Sequence, residues 1–329
     1  MLSKYKLNQL YFKDTQFANL MTRRIFNVLL IANPYDAFML EDDGRIDEKI
    51  FNEYTSLSLR YPPRFSQVST EEEALAQLEN MSFDLVICMP STGDNDSFDI
   101  GRHIKEKYEH IPIVILTPFS HGITKRIINE DLSAFEYVFC WLGNTDLLVS
   151  IIKLIEDKMN LEHDVQEVGV QLILLVEDGI RFYSSILPHL YKFVLKQSQI
   201  FSTEALNQHE QMLRMRGRPK IKLARTYEEA VAIYNKYPNN MLGIVTDVSF
   251  KRAGEKDKKA GLKFCSYIRE KDEFLPIIIE SSEVENQKDA MFLNACFLDK
   301  NSKKLPVDLR KTILRNFGFG DFEFINPHT

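Results

Sequence analysis

The chain has 329 residues, enough for two domains of ordinary size, each with its own hydrophobic core. Its 44% hydrophobic and 27% charged residues are typical of a globular protein, and a formal net charge of -6 argues against a broad nucleic-acid-binding surface. The cysteines lie in or beside apolar runs without CxxC spacing or histidine partners, which predicts buried, inert thiols rather than a metal or redox site: Cys88, Cys140, Cys265 and Cys296.

The chain begins with an extension, residues 1–24, that we expect to be helical. Two arginines, Arg23 and Arg24, then precede a short apolar run, Ile25–Ala32, which superficially resembles a twin-arginine signal. The run is interrupted by Asn27 and is followed by no small-residue cleavage site, so a buried strand explains it better. No apolar stretch approaches the ~20 residues that span a bilayer. We therefore expect a cytoplasmic protein that does not enter a membrane.

The chain contains two copies of one structural plan. Short apolar segments of the first half recur in the second half in the same order, and one pair shares a proline at its second position and a hydroxyl at its seventh. The matched segments are 26–34 with 171–179, 83–90 with 242–248, and 111–117 with 275–281.

The apolar segments are continuous rather than alternating, which is typical of parallel strands buried on both faces. Helical patterns separate them, and two of these open on threonine caps at Thr70, with Glu73 in capping-box spacing, and at Thr226. Repeated strand–helix units predict an α/β fold with two doubly wound, five-stranded parallel sheets in tandem. The strands predicted in the second half are 171–177, 221–225, 241–247, 276–281 and 295–299.

The same pattern places the domain boundaries. A long helix from Asn144 to about Val168 closes the first domain and leads into the second. Within the second domain an insertion carries a compact basic run, RMRGRPK at 214–220, which we interpret as a solvated surface rather than a nucleic-acid site. The predicted segments are domains at 25–160 and 168–318, an insertion at about 197–220 and a tail at 319–329.

Polar side chains follow the strands of the second half where each strand ends. Glu177 and Asp178 follow the first strand, Asp247 ends the third, Ser281 ends the fourth and Lys300 follows the fifth. The carboxyl ends of parallel strands meet at one edge of a sheet, where such folds bind their ligands. Three carboxylates, a hydroxyl and an ammonium are therefore predicted to converge there.

Such a cluster has a definite chemistry. Two carboxylates about 4 Å apart repel by roughly 4 kcal/mol at an effective dielectric constant of 20, and a divalent cation relieves the repulsion. Oxygen ligands without histidine or thiolate favour Mg²⁺. A carboxylate can also act as a covalent nucleophile toward a phosphoryl group, while a metal ion and a lysine neutralise the transferring oxygens.

These residues closely resemble the receiver domains of response regulators, of the single-domain chemotaxis type. The resemblance implies a flavodoxin-like fold in which Asp247 is the phosphoacceptor. It also implies that Glu177 and Asp178 are the acidic pair, with Asp178 a direct Mg²⁺ ligand, and that the backbone carbonyl of Ser249 completes the metal site.

The resemblance extends to the parts that would read out phosphorylation. Ser281 matches the switch hydroxyl, Lys300 the phosphate-binding lysine and Phe297 the rotating switch aromatic. Two departures stand out: Asn301 replaces the usual proline after the lysine, and residues 251–259 lengthen the loop after the phosphoacceptor. That loop either shields the aspartyl phosphate, docks a partner or is simply solvated.

The first half keeps the frame and loses the acids. Ala32 and Asn33 stand where the acidic pair would be, and Met89 stands at the phosphoacceptor position, so this half has no phosphoacceptor and no metal site. The lysine position falls on Cys140 or Trp141, and only the switch hydroxyl is retained, as Thr117. We interpret this half as a degenerate pseudo-receiver that serves in docking or dimerisation.

The sequence thus favours a phosphorelay receiver rather than an enzyme. Its expected partners are a sensor histidine kinase or phosphotransfer protein and a downstream target or fused output domain; a homodimer is left open. The alternative is a receiver-like scaffold that is not phosphorylated. Residues from about 130 onward also resemble the N-terminal regulatory part of phosphoenolpyruvate synthase/pyruvate phosphate dikinase-like proteins.

Overall fold

The structure is a computed structural model that describes residues 17–41, 45–90, 97–118, 127, 130–202 and 215–319. The chain forms two compact units. The N-terminal unit comprises residues 23–156 and 180–188, and the C-terminal unit comprises the described parts of 1–22, 157–179 and 189–329. Most of the predicted extension, the middle of the predicted insertion and nearly all of the predicted tail lie outside the described residues, at 1–16, 203–214 and 320–329.

The N-terminal unit is built on a five-stranded sheet in which every pair of neighbouring strands is parallel. The strand order is β2-β1-β3-β4-β5. Its strands are β1 (Asn27–Ile31), β2 (Arg64–Val68), β3 (Leu85–Cys88), β4 (Ile113–Pro118) and β5 (Tyr137–Trp141). The helices that begin in this unit are α1 (Pro34–Leu40), α2 (Ile46–Ser56), α3 (Glu71–Asn80), α4 (Ser97–Lys107), α5 (Asp146–Val168) and α6 (Ile180–Ser202).

The C-terminal unit repeats the plan with β6 (Leu172–Val176), β7 (Lys220–Ala224), β8 (Met241–Asp247), β11 (Ile277–Ser281) and β12 (Cys296–Asp299). Its parallel sheet has the order β7-β6-β8-β11-β12. Two short antiparallel strands, β9 (Phe250–Arg252) and β10 (Glu255–Asp257), form a separate hairpin. The remaining helices are α7 (Tyr227–Lys236), α8 (Ala260–Arg269), α9 (Asn286–Phe292) and α10 (Leu305–Asn316).

When the five strands of each sheet are numbered 1 to 5 along the chain, both sheets have the order 2-1-3-4-5, which is the flavodoxin-like order. The predicted fold class, two doubly wound five-stranded parallel sheets in tandem, is therefore confirmed. The physical reason is the one read from the sequence: β3 and β6 are buried along their whole length, as strands covered by helices on both faces must be.

The predicted helix caps are also present. The Thr70 side chain accepts a hydrogen bond from the backbone N–H of Glu73 while the Glu73 carboxylate accepts from the backbone N–H of Thr70, a complete capping box. Thr226 likewise accepts from the backbone N–H of Glu229 at 3.2 Å. None of the helices within the described residues combines the length and the apolar character needed to cross a bilayer.

The four cysteines are free thiols, and the prediction that they are buried is right for three of them. Burial raises the pKa of Cys88 and of Cys265 to about 12, so neither forms a thiolate readily. Cys296 is only partly buried.

The interpretation of the basic run 214–220 as a solvated surface is wrong for its last residues. Arg218 forms a two-pronged ion pair with Asp157 at 2.7 and 3.0 Å, and both side chains are at least 97% buried. Lys220, the first residue of β7, is fully buried and lies 2.9 Å from the carboxylate of Asp164. Both acids lie on α5, far away along the chain, so the local charge pattern could not reveal the pairing.

Asp157 is the centre of this buried cluster. Besides Arg218, its carboxylate accepts hydrogen bonds from the Tyr191 hydroxyl and from the backbone N–H of Ile221, each at 2.9 Å. Burying a carboxylate is costly unless donors such as these are in place. Removing Asp157 takes its carboxylate away from the buried Arg218 cation.

We predict that Asp157→Ala lowers the free energy of unfolding by about 3–5 kcal/mol, because a buried charge loses a carboxylate partner. Urea denaturation followed by circular dichroism measures this. The control is Glu162→Ala on the same helix, which removes an exposed ion pair to Lys236 and should cost no more than about 1 kcal/mol. Equal losses in the two variants would contradict the assigned role of Asp157.

Candidate functional site

Three carboxylates converge at the carboxyl edge of the C-terminal sheet. β6 and β8 are adjacent parallel strands, and Glu177 and Asp178 follow the first of these while Asp247 ends the second. One ligand atom from each of the three side chains lies within 4.8 Å of the others. Within the described residues, no other group of three or more His, Cys, Asp or Glu side chains converges so closely.

Lys300 reaches the cluster from the end of β12. Its backbone N–H donates to the carbonyl of Ser281 at 2.9 Å, which fixes the start of the loop. Its ammonium lies 2.5 Å from Glu177 Oε2 and 2.9 Å from Asp247 Oδ1, with only 4% of the side chain exposed. Burial raises the pKa of Glu177 to about 7 although the Lys300 charge opposes the rise.

A fourth carboxylate, Glu280, lies in the same region and was not predicted from the sequence to belong to the site. It stands opposite Asp247 in the register of β11 and β8, and it is 1% exposed. Its Oε1 atom has no hydrogen-bond partner. Burial raises the pKa of Glu280 to about 8, with Lys300 opposing the rise. The sequence feature that could have identified Glu280 is an acidic residue within the apolar strand IIIES.

This burial gives a pH prediction for the metal-free protein. The unfolded chain releases the Glu280 proton near its ordinary pKa of 4.5, whereas the folded chain holds it until about pH 8. The folded state then binds more protons, so the free energy of unfolding should fall by about 1–4 kcal/mol between pH 5 and pH 8. Urea denaturation in EDTA across this range measures the slope.

Glu280→Gln should reduce that slope, because the variant carries no proton to release at this position, and the slope that remains belongs to Glu177, whose pKa is also raised by burial. Glu283→Gln, at an exposed position two residues beyond β11, is the matched control and should keep the slope of the natural protein. Parallel pH profiles for all three proteins would show that Glu280 does not carry the effect.

The loop 251–259 is neither irregular nor merely solvated: its first part is the β9–β10 hairpin. The hairpin carries Lys256 to the acidic cluster. Its Nζ donates to Asp178 Oδ1 at 2.8 Å and Oδ2 at 3.0 Å, and to the backbone carbonyl of Ser249 at 2.6 Å. This lysine could not be predicted from the sequence, because a charged residue in a predicted loop shows no partner.

Gly261 allows α8 to lie directly against the end of β8. A Cβ atom at this position would stand 2.0 Å from the carbonyl oxygen of Asp247, which no side chain could tolerate. The glycine N–H instead donates to the carbonyl of Val248 at 2.9 Å. The Gly-Leu pair at the start of α8 therefore fixes the backbone that presents Asp247.

Ser281 ends β11, and Phe297 lies on the adjacent strand β12. The Ser281 hydroxyl accepts hydrogen bonds from the Asn286 side chain at 2.9 Å and from the backbone N–H of Glu283 at 3.1 Å. It is therefore tied to the start of α9. Phe297 is partly buried and packs against the core of the unit.

Asn301, which stands where the resembling family has proline, closes its loop with hydrogen bonds. Its side chain donates to the carbonyl of Ser282 at 3.0 Å, and its backbone N–H donates to Asp299 Oδ1 at 2.8 Å. The described residues contain no cis peptide bond. The loop is thus held by polar contacts to both neighbouring strand ends.

The matching positions of the N-terminal unit carry no carboxylate. Ala32 and Met89 are buried, and Asn33 caps α1 by accepting from the backbone N–H of Asp36 at 2.8 Å. The Thr117 hydroxyl donates to the carbonyl of Pro118 at 2.9 Å, and Cys140 is 4% exposed. These side chains serve the local fold and offer no phosphoacceptor; a docking role for the unit stays a prediction.

The chain is similar to several solved structures of known proteins. No protein-family model matches the chain, and no curated protein matches it. Response regulator protein TrrA from Thermotoga maritima, in complex with Mg(2+)-BeF, is 19% identical over 39% of this chain and 97% of its own, with a TM-score of 0.29. A probable two-component system response regulator/GGDEF domain protein is 14% identical over 87% of this chain and 96% of its own, with a TM-score of 0.34.

A further likeness is the signal receiver domain of a putative Luxo repressor protein from Vibrio parahaemolyticus. It is 17% identical over 44% of this chain and 98% of its own, with a TM-score of 0.29. The flavodoxin-like assignment itself rests on the strand order of the two sheets. Both sheets have this strand order, which fits a tandem receiver arrangement.

Proposed function

We propose that the C-terminal unit accepts a phosphoryl group on Asp247 and that this changes its contacts with other proteins. The observation that supports this most strongly is the position of Asp247. Its carboxylate is 13% exposed and lies between the buried ammonium of Lys300 and the carboxylates of Glu177 and Asp178. A nucleophile beside a fixed cation, at the edge where such folds bind ligands, suits phosphoryl transfer.

The residues present fit a magnesium ion. The donors are all oxygens, from Asp178, Asp247 and the Ser249 carbonyl, with Glu177 acting through water. The Lys256 ammonium, 2.6–3.0 Å from oxygens of Asp178 and Ser249, is a stand-in cation at this position. Bound there, Mg²⁺ would neutralise charge on the transferring phosphoryl oxygens.

The chain's own groups account for the rest of the reaction. A carboxylate oxygen of Asp247 attacks the phosphorus of a phosphohistidine or acyl phosphate, and the new O–P bond forms as the bond to the donor breaks. The leaving group takes that electron pair. Lys300, held by Glu177, binds a phosphoryl oxygen as charge develops. The unit is thus an acceptor, at most losing the group slowly to water, rather than a catalyst that turns over a substrate.

The read-out would pass through Ser281 and Phe297. Phosphorylation adds about two negative charges beside Ser281, whose hydroxyl can exchange its bond with Asn286 for one with the phosphoryl group. The vacated space would admit Phe297, altering the surface of α9, β12 and α10. A sensor histidine kinase or phosphotransfer protein would supply the group, and a target protein would recognise the altered surface.

A second candidate function is a scaffold that is never phosphorylated. The favouring observation is that Lys256 and Lys300 already give the acids two cations from the chain itself. Such a site is stable without metal or phosphate, as a pure interaction module requires.

Incubating the purified chain with acetyl phosphate and Mg²⁺, followed by Phos-tag electrophoresis and intact mass, separates the two functions. The natural chain should gain one phosphoryl group, and Asp247→Asn should gain none. Asp289→Asn, an exposed aspartate on α9, and Met89→Ala in the N-terminal unit should be labelled normally.

Labelling of Asp247→Asn would show that the acceptor is wrong. A natural chain that stays unlabelled while its circular dichroism shows it folded would favour the scaffold.

A further inference from the structure

We infer that Lys256 is a built-in competitor of the divalent cation, so that metal binding requires the β9–β10 hairpin to release its lysine from the acidic site. The inference rests on the proposed function and deepens it, because it names what controls occupancy of the metal position. It concerns a residue and a hairpin to which the sequence resemblance gives no role.

The competition follows from shared ligand atoms. The Lys256 ammonium donates to both carboxylate oxygens of Asp178 and to the carbonyl oxygen of Ser249. Asp178 and the Ser249 carbonyl are two of the ligands that would hold Mg²⁺ together with Asp247, and Mg²⁺ bonds to oxygen are about 2.0–2.1 Å long. Two cations cannot both hold these Asp178 and Ser249 oxygens at bonding distance, since they would repel each other within a few ångströms. One must leave when the other binds.

The hairpin is anchored independently of this contact. Phe250 is fully buried at its base, and its two-residue turn has positive φ angles at Ala253 and Gly254, as a primed turn requires. The Ala253 N–H donates to the carboxylate of Glu228 on α7 at 2.9 Å, and Asp257 pairs with Lys263 on α8 at 2.7 Å. The hairpin therefore stays in place and delivers the lysine again whenever the metal leaves.

The two lysines of the site differ in how easily they can move. The Lys300 side chain is 4% exposed and is enclosed by its carboxylate partners, whereas the Lys256 side chain is 53% exposed. A long, flexible lysine stem at a half-exposed position can swing away at little cost. Lys300 is thus a fixed part of the site, and Lys256 is an exchangeable one.

Space for the released side chain lies next to it. Lys256 lines an open cleft of about 860 Å³ between the hairpin and α7. The carboxylate of Glu255 also lines this cleft and can receive the ammonium, whereas those of Glu228 and Asp257 hold the hairpin in place. Metal binding would therefore move a charge from the acidic site to the outer face of the hairpin.

Isothermal titration of the full chain with Mg²⁺ tests the inference without relying on phosphorylation. Lys256→Met should bind Mg²⁺ about tenfold more tightly than the natural chain, within the usual range of coupling between two ligands of one site. Lys256→Arg keeps the cation and should stay within about threefold of the natural chain. Lys258→Met removes the same charge from an exposed position two residues away and should also leave affinity unchanged.

The outcomes distinguish the two ideas. Equal affinities for the natural chain, Lys256→Met and Lys258→Met would overturn the competition while leaving the metal site intact. If Lys256→Met and Lys258→Met both bound Mg²⁺ more tightly by the same factor, the effect would come from net charge alone, and the competition would again be overturned. No Mg²⁺ binding by any folded variant would overturn the proposed function itself, and this inference with it.

Discussion

Charge balance at one edge of the C-terminal sheet is the constraint on which the site depends. Three carboxylates meet there within 4.8 Å of one another, with the buried Glu280 in the same region, and like charges about 4 Å apart cost roughly 4 kcal/mol at a dielectric constant of 20. The buried ammonium of Lys300 holds Glu177 and Asp247 together. The remaining negative charge attracts a further cation, and either Lys256 or a metal ion can neutralise it.

The two units show how little of this chemistry the fold dictates. Both sheets have the same strand order, yet the positions that carry Asp178 and Asp247 in one are occupied by Asn33 and Met89 in the other. In the N-terminal unit the asparagine caps a helix and the methionine is buried. The chemistry therefore belongs to side chains placed on a common frame, and the fold alone does not determine function.

The sequence was informative where the signal is local. Continuous apolar runs predicted parallel strands, and acids directly after those runs predicted which side chains reach the carboxyl edge. It was not informative where charged residues pair with partners distant in sequence. Arg218 pairs with Asp157 on α5, and Lys256 contacts Asp178 through a hairpin that the hydrophobic pattern does not predict. Such pairings depend on how elements pack, and a run of charged residues looks solvated until that packing is known.

The central claim is that Asp247 forms a metal-dependent acyl phosphate, and beryllofluoride, a mimic of that group, tests it most directly. Fluorine NMR of the full chain with beryllofluoride and Mg²⁺ should show resonances of the bound mimic, lost on adding EDTA and absent from Asp247→Asn. Bound resonances that persist in Asp247→Asn, or their absence from the folded natural chain at saturating Mg²⁺, would contradict the account.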